Sequence, residues 1–235
     1  MIIRISGNKI AIVGGLGPET SSKFLLNINN RFRKLTNCQP DIMMINVPVP
    51  SSIESKMING ETCKEMFDLL AEAVIRLNNA EVDFLVIPCN TVHVFIEDLR
   101  EISEKPMLSI IEECAKECKK RDMKKVGILA TTKSVREKLH IKELEKQGTK
   151  TIVPDNKDQE KVSKIIIKII HNKTKIQDKK TLLNIIRKLK QEGAEAVILG
   201  CTDLFLVVKK ACLPLINTTK VLEDSVMRIL VSERN

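Results

Sequence analysis

Two cysteines in matched surroundings are the residues of this chain best suited to chemistry. Cys89 lies in VIPCNTVH at residues 86–93 and Cys201 in VILGCTDL at residues 197–204. In both, an apolar run that reads as a buried strand gives way to Cys, then to Asn-Thr or Thr-Asp, then to an apolar helix start. A thiol there faces the free N–H groups and the positive dipole end of the following helix, which is expected to lower its pKa and enrich the thiolate, the form that accepts a proton. The same N–H groups, the hydroxyls of Thr91 and Thr202 and the amide of Asn90 suit a carboxylate. Two such thiols on opposite faces of a carbon next to a carboxylate invert it: one removes the proton and the other returns one from the far side, whereas a lone base tends to return it to the same face. With no Schiff base to take up the charge, the carboxylate donors must stabilise an enediolate-like intermediate in a site that excludes water. The other cysteines, Cys38, Cys63, Cys114, Cys118 and Cys212, read as small buried hydrophobes.

Positioning these loops requires strands and helices in alternation, and the chain supplies them. Val-, Ile- and Met-rich runs predict strands at 9–13, 41–46, 84–87, 125–129, 149–153, 196–199 and near 214–216. Helical periodicity fills the intervals at 19–34, 61–79, 93–102, 110–121, 134–147, 159–171, 179–191 and 222–231. The pattern predicts an α/β protein with parallel sheets. Residues 78–95 match 191–208 in order and character, and the strands at 10–13 and 126–129 repeat at nearly the same spacing as the two cysteines. Two α/β domains related by a pseudo-two-fold axis follow from this. Equivalent loops at the carboxyl ends of facing sheets then bring two like residues to one cleft, where the active site is expected.

Composition narrows the partners. The formal charge of +9 invites a nucleic-acid reading, but the basic residues are mixed with acids, and no Trp or Tyr and only six Phe are present to stack on bases. Solvated helix faces account for them better, with a positive field that would attract small anions. Apolar runs fall well short of the ~20 residues of a membrane span. Seven cysteines without a paired framework, behind an N-terminus with no signal-like segment, fit a reducing cytoplasm. The loop GGLGPET carries Gly15 and Gly17 but has Thr20 in place of a third glycine, and no Gly-Lys-Ser/Thr follows, so neither a dinucleotide nor a phosphate-loop site is indicated. Cys114 and Cys118 share a helix face but lack a second ligand pair, so no metal is expected.

VIPCNTVH and VILGCTDL resemble the two signature segments of the aspartate/glutamate racemase superfamily. KIAIVGGLGPETSSKF at 9–24 resembles the N-terminal strand, loop and helix of its aspartate racemase branch, and the similarity extends through LATTKSV at 129–135 and PLINTTKVLED at 214–224. The resemblance implies two Rossmann-like domains, residues 1–110 plus 213–235 carrying Cys89 and residues 111–212 carrying Cys201, with the C-terminal helix returning to the first. It implies a homodimer acting on a small amino acid without pyridoxal phosphate, metal or nucleotide, and Cys89 and Cys201 as the catalytic pair. Asn90, Thr91, Thr131, Thr132 and Thr202 would hold the carboxylate and amino group, Gly15 and Gly17 would let the first loop approach closely, and His93 and Asp203 would support the thiols. An acid at Asp203 points to interconversion of L- and D-aspartate, or glutamate. Val92 and Phe205 depart from the usual signatures, as packing changes. The segment 47–55 lacks the arginine with which aspartate racemases clamp the side-chain carboxylate, leaving Lys56, Lys161 and Lys164 as sources of positive charge. The alternatives are a racemase or epimerase of broader or non-acidic specificity, a relative such as a decarboxylase or maleate isomerase, and a binding protein that has lost the chemistry.

Overall fold

The computed structural model describes residues 8–232, and its strands fall where the branched apolar runs lie. In the first half these are β1 (Ile10–Gly14), β2 (Ile42–Asn46), β3 (Phe84–Val86) and β4 (Met107–Leu108). In the second half they are β5 (Lys125–Ala130), β6 (Lys150–Ile152), β7 (Ala196–Gly200) and β8 (Leu215–Asn217). All pairings are parallel, and the two sheets have the same order, β2-β1-β3-β4 and β6-β5-β7-β8. Helices cover both faces of each sheet, so β1 and β7 are buried at every residue and read as continuous apolar runs rather than as alternation.

The strand period of two still sorts the cores. Ala11 and Val13 of β1 point to one face of their sheet, with Met66, Leu70 and Val74 of α3 (Lys64–Asn78). Ile10 and Ile12 point to the other, with Phe24 and Ile28 of α1 (Pro18–Thr36). In the second sheet Leu129 packs with α8 (Asn156–Ile170) and α9 (Ile176–Gln191), while Val126 and Ile128 pack on the opposite face. Among the described residues no helix is long and apolar enough to cross a membrane.

Several elements depart from expectation. Residues 51–59, outside every helix and strand expected from periodicity, form α2 (Ser51–Asn59), entered through Pro50. The two-residue β4 is too short to show any period. The single helix expected at 134–147 is two, α6 (Thr132–Arg136) and α7 (Leu139–Lys146), because Lys138 takes a left-handed conformation with φ 56°. The chain after Cys89 runs through a 3₁₀ turn at Thr91–Phe95 into α4 (Ile96–Ile102). After Cys201 it enters α10 (Leu204–Val207).

The expected domain limits need correction at 213: β8 hydrogen-bonds to β7, which keeps 215–217 with the second sheet. Residues 1–7 and 233–235 of the expected first domain lie outside the described residues. Helices α5 (Ile110–Lys120) and α11 (Thr218–Val231) pack on each other between the two halves. Ile110, Ile111, Leu222 and Val226 join the first sheet's core, whereas Cys114, Cys118 and Val221 join the second's.

Candidate active site

The carboxyl ends of β3 and β7 open on one cavity, which is partly open to solvent. Cys89, Asn90 and Thr91 enter it from the first half, and Thr131, Cys201, Thr202 and Asp203 from the second. The remaining wall is Leu16, Glu54, Met57, Ile58, Met66, Val92, Ile166 and Ile170. The strand-end loops thus converge as the internal duplication predicts.

Each thiol receives the backbone N–H groups anticipated for it, from Thr91 and Val92 at Cys89 and from Asp203 and Leu204 at Cys201. Their effect is outweighed, contrary to the expected lowering. Burial, with the Asp203 and Glu54 carboxylates nearby, pushes the Cys89 thiol up to about 12. Burial and Asp203 hold Cys201 well above the ordinary thiol range. Both therefore rest protonated, because desolvation of the thiolate exceeds what two N–H groups return. The Cys201 thiol donates to Asp203 Oδ2 at 3.8 Å, and the other oxygen of Asp203 accepts from the Thr20 hydroxyl of α1. Burial first, then the charge of Glu19, raises the Asp203 pKa.

A second tier of contacts holds the loops. His93 Nδ1 lies 2.7 Å from the Cys89 carbonyl, and its Nε2 accepts the Ile110 N–H at 3.3 Å. That pairing leaves Nδ1 as the donor, and burial depresses the His93 pKa to about 4, so the ring is neutral. His93 fastens the backbone of its loop and does not line the cavity. Asn90 is oriented from both ends: Nδ2 donates to Thr218 Oγ1 at 3.0 Å, and Oδ1 is 3.1 Å from His140 Nε2. Thr218 donates in turn to the Leu199 carbonyl on β7, joining the two cysteine loops. The Thr91 and Thr131 hydroxyls, one from each half, meet at 3.0 Å.

Other expected site residues stand outside the lining. Thr132 bonds Ser163 Oγ at 2.8 Å through its hydroxyl. Gly15, at φ 88°, packs on the Val47 backbone, where a Cβ would approach the carbonyl to 2.5 Å. Gly17, at φ 86°, abuts the Asp203 carboxylate, where a Cβ would lie 3.2 Å from both oxygens. It therefore serves the site through Asp203. Lys161 and Lys164 are corrected: both are exposed and pair with Asp158 at 2.7 Å and Glu160 at 3.8 Å on their own helix, because α8 turns Ile166 and Ile170 inward. Lys56 is exposed and also absent from the lining. Cys38 and Cys212 are exposed rather than buried.

Sequence reasoning missed Glu54, His140 and Thr218. Glu54 had a signal, the Ser51-x-x-Glu54 spacing of a helix start, obscured by the prolines before it. His140 and Thr218 reach Asn90 from 50 and 128 residues away, and no local pattern announces such pairs. Among the described residues no group of three or more His, Cys, Asp or Glu side chains is arranged to hold a metal ion.

Comparison with known proteins bears on this geometry. The sequence profile of the family described as Asp/Glu/Hydantoin racemase matches residues 13–225. The broad specificity amino-acid racemase RacX of Bacillus subtilis (strain 168) is 28% identical over 223 residues, covering 92% of this chain and 95% of that protein. The aspartate racemase of Picrophilus torridus superposes with a TM-score of 0.79 at 21% identity, covering 94% of each chain. An aspartate racemase homologue from Pyrococcus horikoshii OT3 superposes at 0.73 and 23% identity, covering 94% of this chain and 98% of its own. The two structures speak to the fold.

Proposed function

Because the chain belongs to the Asp/Glu/hydantoin racemase family, we propose that it racemises a free amino acid by direct proton exchange between Cys89 and Cys201. The observation that carries this reading is the entry of both cysteines into one cavity from equivalent loops of the two halves. In the proposed cycle the thiolate of one cysteine takes the α-proton, and the thiol of the other protonates the opposite face. The two then exchange roles for the reverse reaction. Charge gathers on the substrate carboxylate, where the hydroxyls of Thr91, Thr131 and Thr202 and the loop N–H groups are the available donors. A thiol that rests protonated must ionise when substrate enters, and the substrate ammonium supplies the neighbouring positive charge that favours this. Asp203 acts as a positioning residue that aims the Cys201 proton. No step calls for pyridoxal phosphate.

The acidic specificity implied by resemblance finds little support in the lining, which holds two carboxylates, Glu54 and Asp203, and no Lys or Arg. The broader, non-acidic alternative fits better. A homodimer in a reducing cytoplasm remains part of the proposal.

The test is α-proton exchange in deuterated buffer, followed by NMR with chiral chromatography, over a panel of L-amino acids that includes aspartate. Native protein should exchange and invert at least one of them without added cofactor. Cys89→Ser and Cys201→Ser should each lower inversion by about 10²–10⁴-fold. Inversion that survives either substitution would rule out the two-thiol cycle.

A further inference from the structure

Among the described residues, the carboxylates buried away from this cavity are partnered. Asp158 is held by Lys161 and Lys188, Asp178 by Lys168, and Glu113 by Lys116 and Arg228. Glu54 is different. Half-buried, it projects from α2 into the cavity with no hydrogen bond or ion pair to any described residue. Its neighbours in the lining, Met57, Ile58, Met66, Ile166 and Ile170, are long and apolar. A carboxylate at an apolar wall beside a proton-transfer site complements a chain of methylenes that ends in a cation.

We propose that the cavity selects amino acids with a cationic side chain, of the lysine and ornithine type, and that Glu54 is the ion-pair partner of that side chain. The proposal rests on the racemase reading and names its substrate class. An acidic side chain would meet the charges of Glu54 and Asp203 with no cation in the lining to offset them. A neutral chain would fill the apolar wall but leave Glu54 desolvated and unpaired. Burial already holds the Glu54 carboxyl up to about 7, with Asp203 and Glu19 adding to the effect, so an entering cation relieves an existing cost. The net charge of +9 does not oppose this, since the surface lysines are solvated and screened while Glu54 acts at contact distance.

The experiment measures kcat and KM for exchange and inversion of L-lysine, L-ornithine, L-norleucine and L-aspartate with native protein, Glu54→Gln and Glu54→Lys. Native protein should prefer L-lysine or L-ornithine over L-norleucine by about tenfold or more in kcat/KM. Glu54→Gln should remove that preference, chiefly by raising KM for L-lysine and L-ornithine. Glu54→Lys should raise L-aspartate or L-glutamate above L-lysine. A native preference for L-aspartate or L-norleucine overturns the inference but keeps the racemase. So does a Glu54→Gln variant that slows lysine and norleucine alike, which would place Glu54 on the α-ammonium or in the fold. Silence with every amino acid overturns the racemase reading and this inference together.

Discussion

A thiol in this site is subject to two opposed effects, and the structure indicates which prevails. The loop N–H groups at Cys89 favour the thiolate, while burial and the nearby carboxylates disfavour it and win, leaving a pKa of about 12. The consequence is a chemical ranking of the cysteines. At pH 8 iodoacetamide should label exposed Cys38 and Cys212 first, with Cys89 lagging although it is partly exposed. Labelling of Cys89 should then accelerate about tenfold per pH unit toward pH 10 without a plateau, because the thiolate fraction is still far from saturation. Peptide mass spectrometry reads this directly. Early labelling of Cys89 that levels off near pH 8 would mean that the N–H groups prevail after all. The two cysteine loops were legible in the sequence. The direction of their pKa was not, since desolvation depends on side chains contributed by remote segments.

At the level of elements, the turn from β7 into Cys201 depends on what α7 lays against it. A Cβ on Gly200 would come within 2.9 Å of His140 Nε2 and 3.0 Å of the Ala130 Cβ. Gly200→Ala must therefore displace His140, the residue that orients Asn90, and should cost about 1–3 kcal/mol in urea unfolding as an overpacked site. Combining it with His140→Ala should restore part of the stability but not the inversion rate. Unchanged stability in Gly200→Ala alone would show that α7 yields without strain. Helix α2 shows the limit of local reading: Pro50 before Ser51 sits where its missing N–H costs nothing, so a proline-rich run that reads as loop is also compatible with a helix start.

For the whole molecule the decisive feature is that α5 and α11 belong to both halves. Leu222 is fully buried against the first sheet, one residue from Val221 in the second sheet's core. The two sheets should therefore unfold together. Leu222→Ala should destabilise the protein by about 2–5 kcal/mol and shift a single unfolding transition, with hydrogen exchange in β1 and β5 rising in parallel. Two separable transitions, or protection lost in one sheet only, would refute that coupling. The same arrangement lets the two cysteine loops face each other across a cleft fixed at one side.

The sequence by itself determined the parallel α/β architecture, the duplication and the two cysteine loops. All three are written in local periodicity and in neighbouring residues, and a buried parallel strand ending in Cys-Thr reads the same wherever it lies. Only the tertiary structure decided that Lys161 and Lys164 turn outward while Glu54 turns in, that Asn90 is held by His140 and Thr218, and that both thiols rest protonated. Those outcomes depend on which faces meet across the cleft. Contacts between segments tens of residues apart, and the loss of water between them, leave no mark in the order of neighbouring residues.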